Sequence, residues 1–226
     1  MAASMSMSAA HFTDKMSDEH AGLMDRVYRH QRHLYDFTRK YYLFGRDGLI
    51  RDLRLAPSER LIEIGCGTAR NLIAIAQAQP KARLFGLDAS AAMLETAERH
   101  IRRAGLSHRI TLAQGLAEQL SPAAFGQEGF ENALFSYSLS MIPDWRGALV
   151  AAHAALMPQG RLHIVDFGDL AGLPPAARRL LEAWLARFHV TPRTELLAEI
   201  EGHAREGDRL RLLPGRYAFT FCEQQM

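Results

Sequence analysis

The chain has 226 residues, 48% of them apolar, with 27 Lys and Arg against 25 Asp and Glu for a formal charge of +2. That size suits one α/β domain with an N-terminal extension, and there is no internal repeat or long low-complexity segment. The slight positive balance does not separate nucleic acid from lipid headgroups as partners, and no metal-type Cys/His spacing surrounds Cys66 or Cys222. No metal, no structural disulfide and a reducing, cytoplasmic compartment are therefore expected.

Residues 1–16 read as a disordered tail, because Met1 to Ala10 is rich in Ser, Met and Ala and lacks the apolar core and basic flank of a signal peptide. Residues 17–58 read as an N-terminal helical cap. A helical pattern over 17–54 interleaves Leu23, Val27, Leu34, Phe37 and Tyr41 with Arg26, Arg29, Arg32, Arg39 and Lys40. Strand candidates follow at 60–64, 82–87, 109–113, 131–136 and 160–166, separated by helical segments near 70–79, 90–104 and 145–157. This alternation predicts a mostly parallel sheet with helices on both faces. Pro158-Gln159-Gly160 is expected to close the helix ahead of the fifth strand. Leu173 to Val190 and Pro192 to Glu206 read as two further helices, and Leu210 to Phe221 as a terminal hairpin. The longest apolar runs, such as Ala148 to Met157, are too short to span a bilayer.

The segment Leu61-Ile62-Glu63-Ile64-Gly65-Cys66-Gly67-Thr68-Ala69-Arg70 has the form of a buried strand, a glycine turn and a helix start. Gly65 and Gly67 allow close approach of backbone to a ligand, and the following helix offers unpaired N–H groups. Asp88 ends the next strand roughly 20 residues on, where a carboxylate binds ribose hydroxyls. A dinucleotide fingerprint needs a small residue where Arg70 stands, which disfavours NAD and FAD.

The pattern Glu63-x-Gly65-x-Gly67-Thr68 followed by Asp88 resembles the first two motifs of class I S-adenosylmethionine (AdoMet) methyltransferases, over about residues 60 to 166. The resemblance implies a Rossmann-like, mostly parallel seven-stranded sheet of order 3-2-1-4-5-7-6, with 59–226 as the AdoMet-binding domain. It implies that Gly65, Cys66 and Gly67 pack on the methionyl part of AdoMet, that Asp88 accepts both ribose hydroxyls, and that Ala89 and Met93 line the adenine. Glu63 either holds the turn or neutralises the AdoMet ammonium. Gly115, Leu116 and Ala117 occupy a segment where an acid usually follows the glycine to meet the adenine amine. Leu116 stands in that place, which leaves Glu118, a backbone carbonyl or water for the amine. Ser136 is expected to contribute backbone contacts beneath the sulfonium. Cys66 reads as a small residue fitted to the turn, with nothing basic beside it to make a thiolate.

Two further segments, His30 to Asp47 and Tyr137-Ser138-Leu139-Ser140-Met141-Ile142-Pro143-Asp144-Trp145, are similar to those of bacterial betaine-lipid N-methyltransferases. That family adds three methyl groups to the amino group of diacylglyceryl-homoserine. The resemblance implies a lipid substrate at a membrane surface, no nucleic acid, and a pathway partner that transfers the aminocarboxypropyl group of AdoMet to diacylglycerol. Peripheral attachment at the inner membrane surface is expected, through the basic aromatic N-terminal region or the amphipathic helix carrying Leu180, Leu181, Trp184, Leu185 and Phe188. Aromatic faces suit a quaternary ammonium product, and Tyr35, Tyr41 and Tyr137 are the expected cage. His33 and His189 are the histidines available as a base, and neither is assigned. Phosphatidylethanolamine, a small amine, a quinone-like ring and an inert AdoMet-binding regulator are the competing readings.

Overall fold

The computed structural model describes residues 43–187, 190–203 and 205–224. In chain order these form α1 (Arg46–Asp52), β1 (Arg60–Ile64), α2 (Arg70–Ala78), β2 (Arg83–Asp88), α3 (Ala91–Arg103), β3 (Ile110–Gln114), β4 (Phe130–Ser136), α4 (Trp145–Ala155) and β5 (Leu156–Phe167). Then come α5 (Pro175–Ala186), α6 (Thr194–His203), β6 (Arg209–Leu212) and β7 (Ala218–Gln224). The seven strands form one sheet in the order β3-β2-β1-β4-β5-β7-β6. β1 to β5 run parallel, and β7 pairs antiparallel with both β5 and β6. This is the architecture that the resemblance implies.

Period-2 alternation in the strands builds a separate core on each face. Leu61, Leu84, Leu134 and Val165 meet Leu72 and Ile75 of α2 and Leu94 and Ile101 of α3 on one face. Ile62, Ile64, Phe85, Phe135 and Ile164 meet Trp145, Ala148 and Ala152 of α4 and Leu196, Leu197 and Ile200 of α6 on the other. Leu61, Ile62 and Ile64 are fully buried, worth about 1.5–3 kcal/mol each, so β1 is fixed in the middle of the sheet with its carboxyl end aimed at the glycine turn.

Of the helical pattern expected over 17–54, residues 17–42 lie outside the described residues, and the rest holds the helix Arg46–Asp52, which starts after a left-handed φ of 84° at Gly45. One expectation is corrected. Pro158-Gln159-Gly160 does not separate helix from strand, since all three lie inside the extended run Leu156–Phe167. Leu156 already pairs with Phe130, and the ladder resumes at Asn132 and Arg161 after a register shift. Gln159, with φ of 63°, sits in that bulge.

Two buried titratable groups give the fold opposed pH responses. Asn132 Nδ2 donates to Glu59 Oε2 (3.1 Å), which leaves Asn132 Oδ1 to accept from His163 Nε2–H (3.1 Å). Burial first, then Arg161 and Arg209, pull the His163 imidazole down from 6.5 to about 4. The unfolded chain therefore binds the extra proton, and this contribution is lost as pH falls from 6.5 through about 4. Asp166 accepts from the N–H groups of Phe167 (2.8 Å) and Ser140 (3.1 Å), and burial pushes its carboxyl up from 3.8 to about 6. Its contribution is present below 3.8 and lost as pH rises through about 6. The two slopes offset each other between about pH 4 and 6. Relative to wild type, His163→Gln should gain of the order of 2–3 kcal/mol as pH falls from 6.5 to 4, and Asp166→Asn should lose a similar amount. Urea unfolding at the two pH values measures both, and parallel curves for the three proteins would refute the assignment.

Candidate cofactor site

The carboxyl ends of β1, β2 and β4 open on a cleft of about 690 Å3, a figure that includes space open to solvent. The glycine turn is its floor. Gly65 and Cys66 both donate their N–H to the Leu87 carbonyl (2.8 and 3.0 Å), and Gly67 donates to Asp88 Oδ2 (2.7 Å). The turn after β1 is thereby braced by the end of β2. Gly65 has φ of 75°, and a Cβ there would stand 2.5 Å from Ser138 Cβ, so the position is closed to any side chain. Ala69, which starts α2, also takes the left-handed region, with φ of 62°.

Asp88 joins the turn to the next helix. Its Oδ1 accepts from Ser90 N–H (2.9 Å), while Ser90 Oγ caps α3 by accepting from Met93 N–H (3.3 Å). Both carboxylate oxygens are thus oriented by backbone at the edge of the cleft. Ala89 and Met93 continue that wall, and Gly115, Leu116, Ala117 and Glu118 face it across the opening. Leu116 and Glu118 both reach the lining, so the place of the usual acid is apolar and a carboxylate stands two residues further on.

The remaining wall comes from the segment after β4. Tyr137, Ser138, Met141, Ile142 and Pro143 line it. Ser138 Oγ donates to the Ile64 carbonyl (2.8 Å), tying this segment to β1. Tyr137 has φ of 55°, an uncommon conformation for a bulky residue. It is 2% exposed, its ring stands edge-on to Phe167 at 4.8 Å, and its hydroxyl donates to the Phe44 carbonyl. Burial pushes that hydroxyl well above its ordinary value, so it remains a donor and not a base. Asp144 Oδ1 caps α4 through Gly147 N–H (2.9 Å), and Trp145 is buried with the Arg146 guanidinium stacked at 4.1 Å. Trp145 therefore belongs to the core.

A second pocket of about 430 Å3 shares Gly65 with the first. Glu63, Cys66, Ser136, Leu43, Arg46, Thr68, Arg70 and Asn71 line it. Glu63, 1% exposed, accepts from Asn71 Nδ2 (2.6 Å). The Ser136 hydroxyl oxygen is buried with no hydrogen-bond partner among the described residues. Burial, followed by Asp88 and Glu63, pushes the Cys66 thiol well up, so it is no nucleophile.

Of the sequence-derived cofactor residues, Gly65, Gly67, Asp88, Ala89, Met93, Gly115, Leu116 and Ala117 stand around the cleft, and Glu63, Cys66 and Ser136 around the second pocket. Tyr137 stands on the cleft wall, while Tyr35, Tyr41, His33, His189 and Phe188 lie outside the described residues. In α5, Leu185 is buried and Leu181 and Trp184 pack on the core, whereas Leu180 is 75% exposed. Among the described residues no group of His, Cys, Asp and Glu forms a metal cluster, and no helix is long and apolar enough to cross a membrane. Sequence reasoning gave no site role to Arg46 or Asn71, and met Met141–Pro143 only within the Tyr137–Trp145 segment. Asn71 lies in the helix that the glycine turn starts, while Arg46 and Met141–Pro143 reach the turn from elsewhere in the fold.

The residues present fit AdoMet: a cleft with a backbone-held carboxylate at its edge adjoins a polar pocket with a buried carboxylate, across a glycine that tolerates no Cβ. Comparison with known proteins agrees. A family model described as a methyltransferase domain matches residues 62–162. The chain is 30% identical to the ubiquinone/menaquinone biosynthesis C-methyltransferase UbiE of Syntrophotalea carbinolica, over 80% of this chain and 72% of that protein. It is also 30% identical to the demethylmenaquinone methyltransferase of Geobacillus stearothermophilus over 53% of this chain, a match that spans half of that protein's length. Among solved structures, the S-adenosylmethionine-dependent methyltransferase SibL in its apo form superposes with a TM-score of 0.61 at 20% identity, covering 86% of this chain and 57% of that one, a likeness of fold. No betaine-lipid enzyme appears among these relatives, so the finer resemblance rests on the sequence segments alone. The chain belongs to the class I AdoMet-dependent methyltransferases.

Proposed function

We propose that the chain is an N-methyltransferase that adds three methyl groups to the amino group of diacylglyceryl-homoserine, giving the betaine lipid diacylglyceryl-trimethylhomoserine. One observation carries the reading. The two segments that resemble the betaine-lipid enzymes touch each other: Tyr137, which lines the cleft, donates its hydroxyl to the Phe44 carbonyl. Bound AdoMet supplies an electrophilic methyl group on a sulfonium. The protein then has to hold the acceptor nitrogen in line, within about 3–3.5 Å of that carbon, and keep water away. Tyr137, Met141, Ile142 and Pro143 give the acceptor side an apolar wall suited to the second task.

An amine needs only to lose its ammonium proton before it attacks, and solvent accepts that proton. In this proposal Tyr35, Tyr41 and Tyr137 surround the methylated cation, and Asp88, Ala89, Met93, Gly115, Leu116 and Ala117 hold the nucleoside. The acceptor lies at a membrane surface, which the enzyme visits from the cytoplasmic side. It is supplied by an enzyme that transfers the aminocarboxypropyl group of AdoMet to diacylglycerol.

The second reading, methylation of a quinone-like ring, is favoured by the similarity to the Syntrophotalea and Geobacillus proteins. A single incubation separates the two. Purified protein with methyl-labelled AdoMet is given mixed micelles of diacylglyceryl-homoserine, phosphatidylethanolamine and demethylmenaquinone, and products are read by mass spectrometry. The expected result is three labels on diacylglyceryl-homoserine alone. Label on the quinone ring, or on phosphatidylethanolamine, would replace the proposal with the corresponding alternative.

A further inference from the structure

The far end of the cleft wall is held by an arginine that no motif marks. After β4 the chain folds back on itself: Met141 and Ile142 both donate their N–H to the Ser138 carbonyl (2.9 and 3.0 Å), and Ser140 donates its own to Asp166 Oδ2 on β5 (3.1 Å). The carbonyls of this turn are taken by the stretch ahead of α6. Thr191 N–H donates to the Ser140 carbonyl (3.1 Å), Arg193 Nη2 donates to the Ile142 carbonyl (3.0 Å), and Arg193 Nε makes a longer bond to the Leu139 carbonyl (3.4 Å). One half-buried guanidinium thus joins both ends of the turn. Arg193 has a firm base of its own, because its carbonyl accepts from Leu196 and Leu197 N–H (3.1 and 3.4 Å) as α6 begins, and both leucines are buried in the core on that face. The near end of the wall is anchored elsewhere. There Tyr137 N–H donates to the Val165 carbonyl (2.8 Å) and Ser138 Oγ to the Ile64 carbonyl (2.8 Å).

We propose that Arg193 is a positioning residue for methyl transfer, holding the Leu139–Ile142 turn so that Met141, Ile142 and Pro143 keep their place in the cleft against the acceptor. The proposal rests on the AdoMet reading of the cleft and on this wall facing the acceptor, and it adds a residue 51 positions beyond the turn it holds. Arg193 lines neither pocket, so it acts through the backbone and not by contact with the reacting groups. A guanidinium carries its donors in a rigid plane and serves two carbonyls at once, which a compact ammonium does not reproduce. The stakes are set by distance, since misplacing a reacting group by about 1 Å can cost about 100-fold in rate. The cofactor side is spared, because the glycine turn and Asp88 are braced by bonds that do not involve this turn.

The test uses wild type, Arg193→Met, which keeps an apolar stem and removes the donors, Arg193→Lys, and Arg102→Gln on the exposed side of α3 as a control. Hydrogen exchange over 137–145 should quicken about 10-fold in Arg193→Met while β1 and β2 stay unchanged. Calorimetry should find S-adenosylhomocysteine bound within about 2-fold of wild type. Turnover is then read on whichever of diacylglyceryl-homoserine, phosphatidylethanolamine and demethylmenaquinone wild type labels, and kcat should fall about 10- to 100-fold with little change in the KM for AdoMet. Arg193→Lys should fall between, and Arg102→Gln should match wild type. Should Arg193→Met fail to fold, Arg193→Lys carries the same comparison. Unchanged exchange over 137–145, a loosened wall with full turnover, or equal losses in turnover and S-adenosylhomocysteine affinity would each overturn the proposal. Wild type that labels none of the three acceptors would instead remove the acceptor reading, and exchange together with S-adenosylhomocysteine affinity would decide whether Arg193 holds the wall apart from the cofactor.

Discussion

Gly65→Ala is expected to lose about 3 kcal/mol of stability and about 100-fold in methyl transfer. Two separate costs add. The backbone at this position has φ of 75°, where a Cβ crowds its own carbonyl, for about 1–2 kcal/mol. The new methyl would also stand 2.5 Å from Ser138 Cβ, so the segment after β4 must move. That segment is held by the Ser138 Oγ bond to the Ile64 carbonyl at 2.8 Å, and displacing it raises the cleft floor beneath the cofactor. The two costs are separable. Ser138→Gly empties the space that the methyl needs and loses only its hydrogen bond, so the double variant should recover about 1–2 kcal/mol relative to the sum of the single changes. Urea unfolding of the four proteins measures this coupling. Additive losses would place the whole penalty in the backbone angle and remove the steric half of the argument.

How much of this site is legible in the sequence follows from which interactions are local. The glycine turn and Asp88 are readable because a buried strand, a turn that needs positive φ and an acid at the next strand end are each signalled by neighbours in the chain. The mostly parallel sheet follows from the same regular alternation, whereas its strand order is implied only by the resemblance to the class I methyltransferases. The run Pro158-Gln159-Gly160 misleads because those residue types favour a break. Pairing of Leu156 with Phe130 on the adjacent strand overrides that preference and places the irregularity in a bulge. Most of the pattern over 17–54 lies outside the described residues; in its last part the left-handed turn at Gly45, set close against Leu213 near the distant hairpin, fixes where α1 starts. Tyr137 is readable as an aromatic at the site but not as one whose hydroxyl is engaged, since Phe44 lies 93 positions away. Arg46 is invisible for a similar reason. In sequence it is one basic residue in a basic segment, and only the folded chain sets it across a pocket from Glu63.

Asp88→Ala should weaken S-adenosylhomocysteine about 100- to 1,000-fold, since hydrogen bonds to a charged group contribute about 1.5–3 kcal/mol each and a ribose edge offers two. The carboxylate has two roles that the variant removes together. It accepts from Gly67 N–H at 2.7 Å and Ser90 N–H at 2.9 Å, which sets the turn and starts α3, and in the AdoMet reading it also accepts from the sugar, since a carboxylate offers about four lone-pair sites. A nucleoside lacking the 2′-hydroxyl separates them. Wild type should discriminate against S-2′-deoxyadenosylhomocysteine by about 10-fold or more, and Asp88→Ala should bind the two forms alike, because discrimination requires the acceptor. Asp88→Asn keeps one acceptor oxygen but turns an amide donor toward one of the two N–H groups, so it should be destabilised as well as weakened in binding. If Asp88→Ala lost affinity yet still preferred the 2′-hydroxyl, the carboxylate would be a brace for the glycine turn alone, and the sugar would have to be recognised elsewhere on the cleft wall.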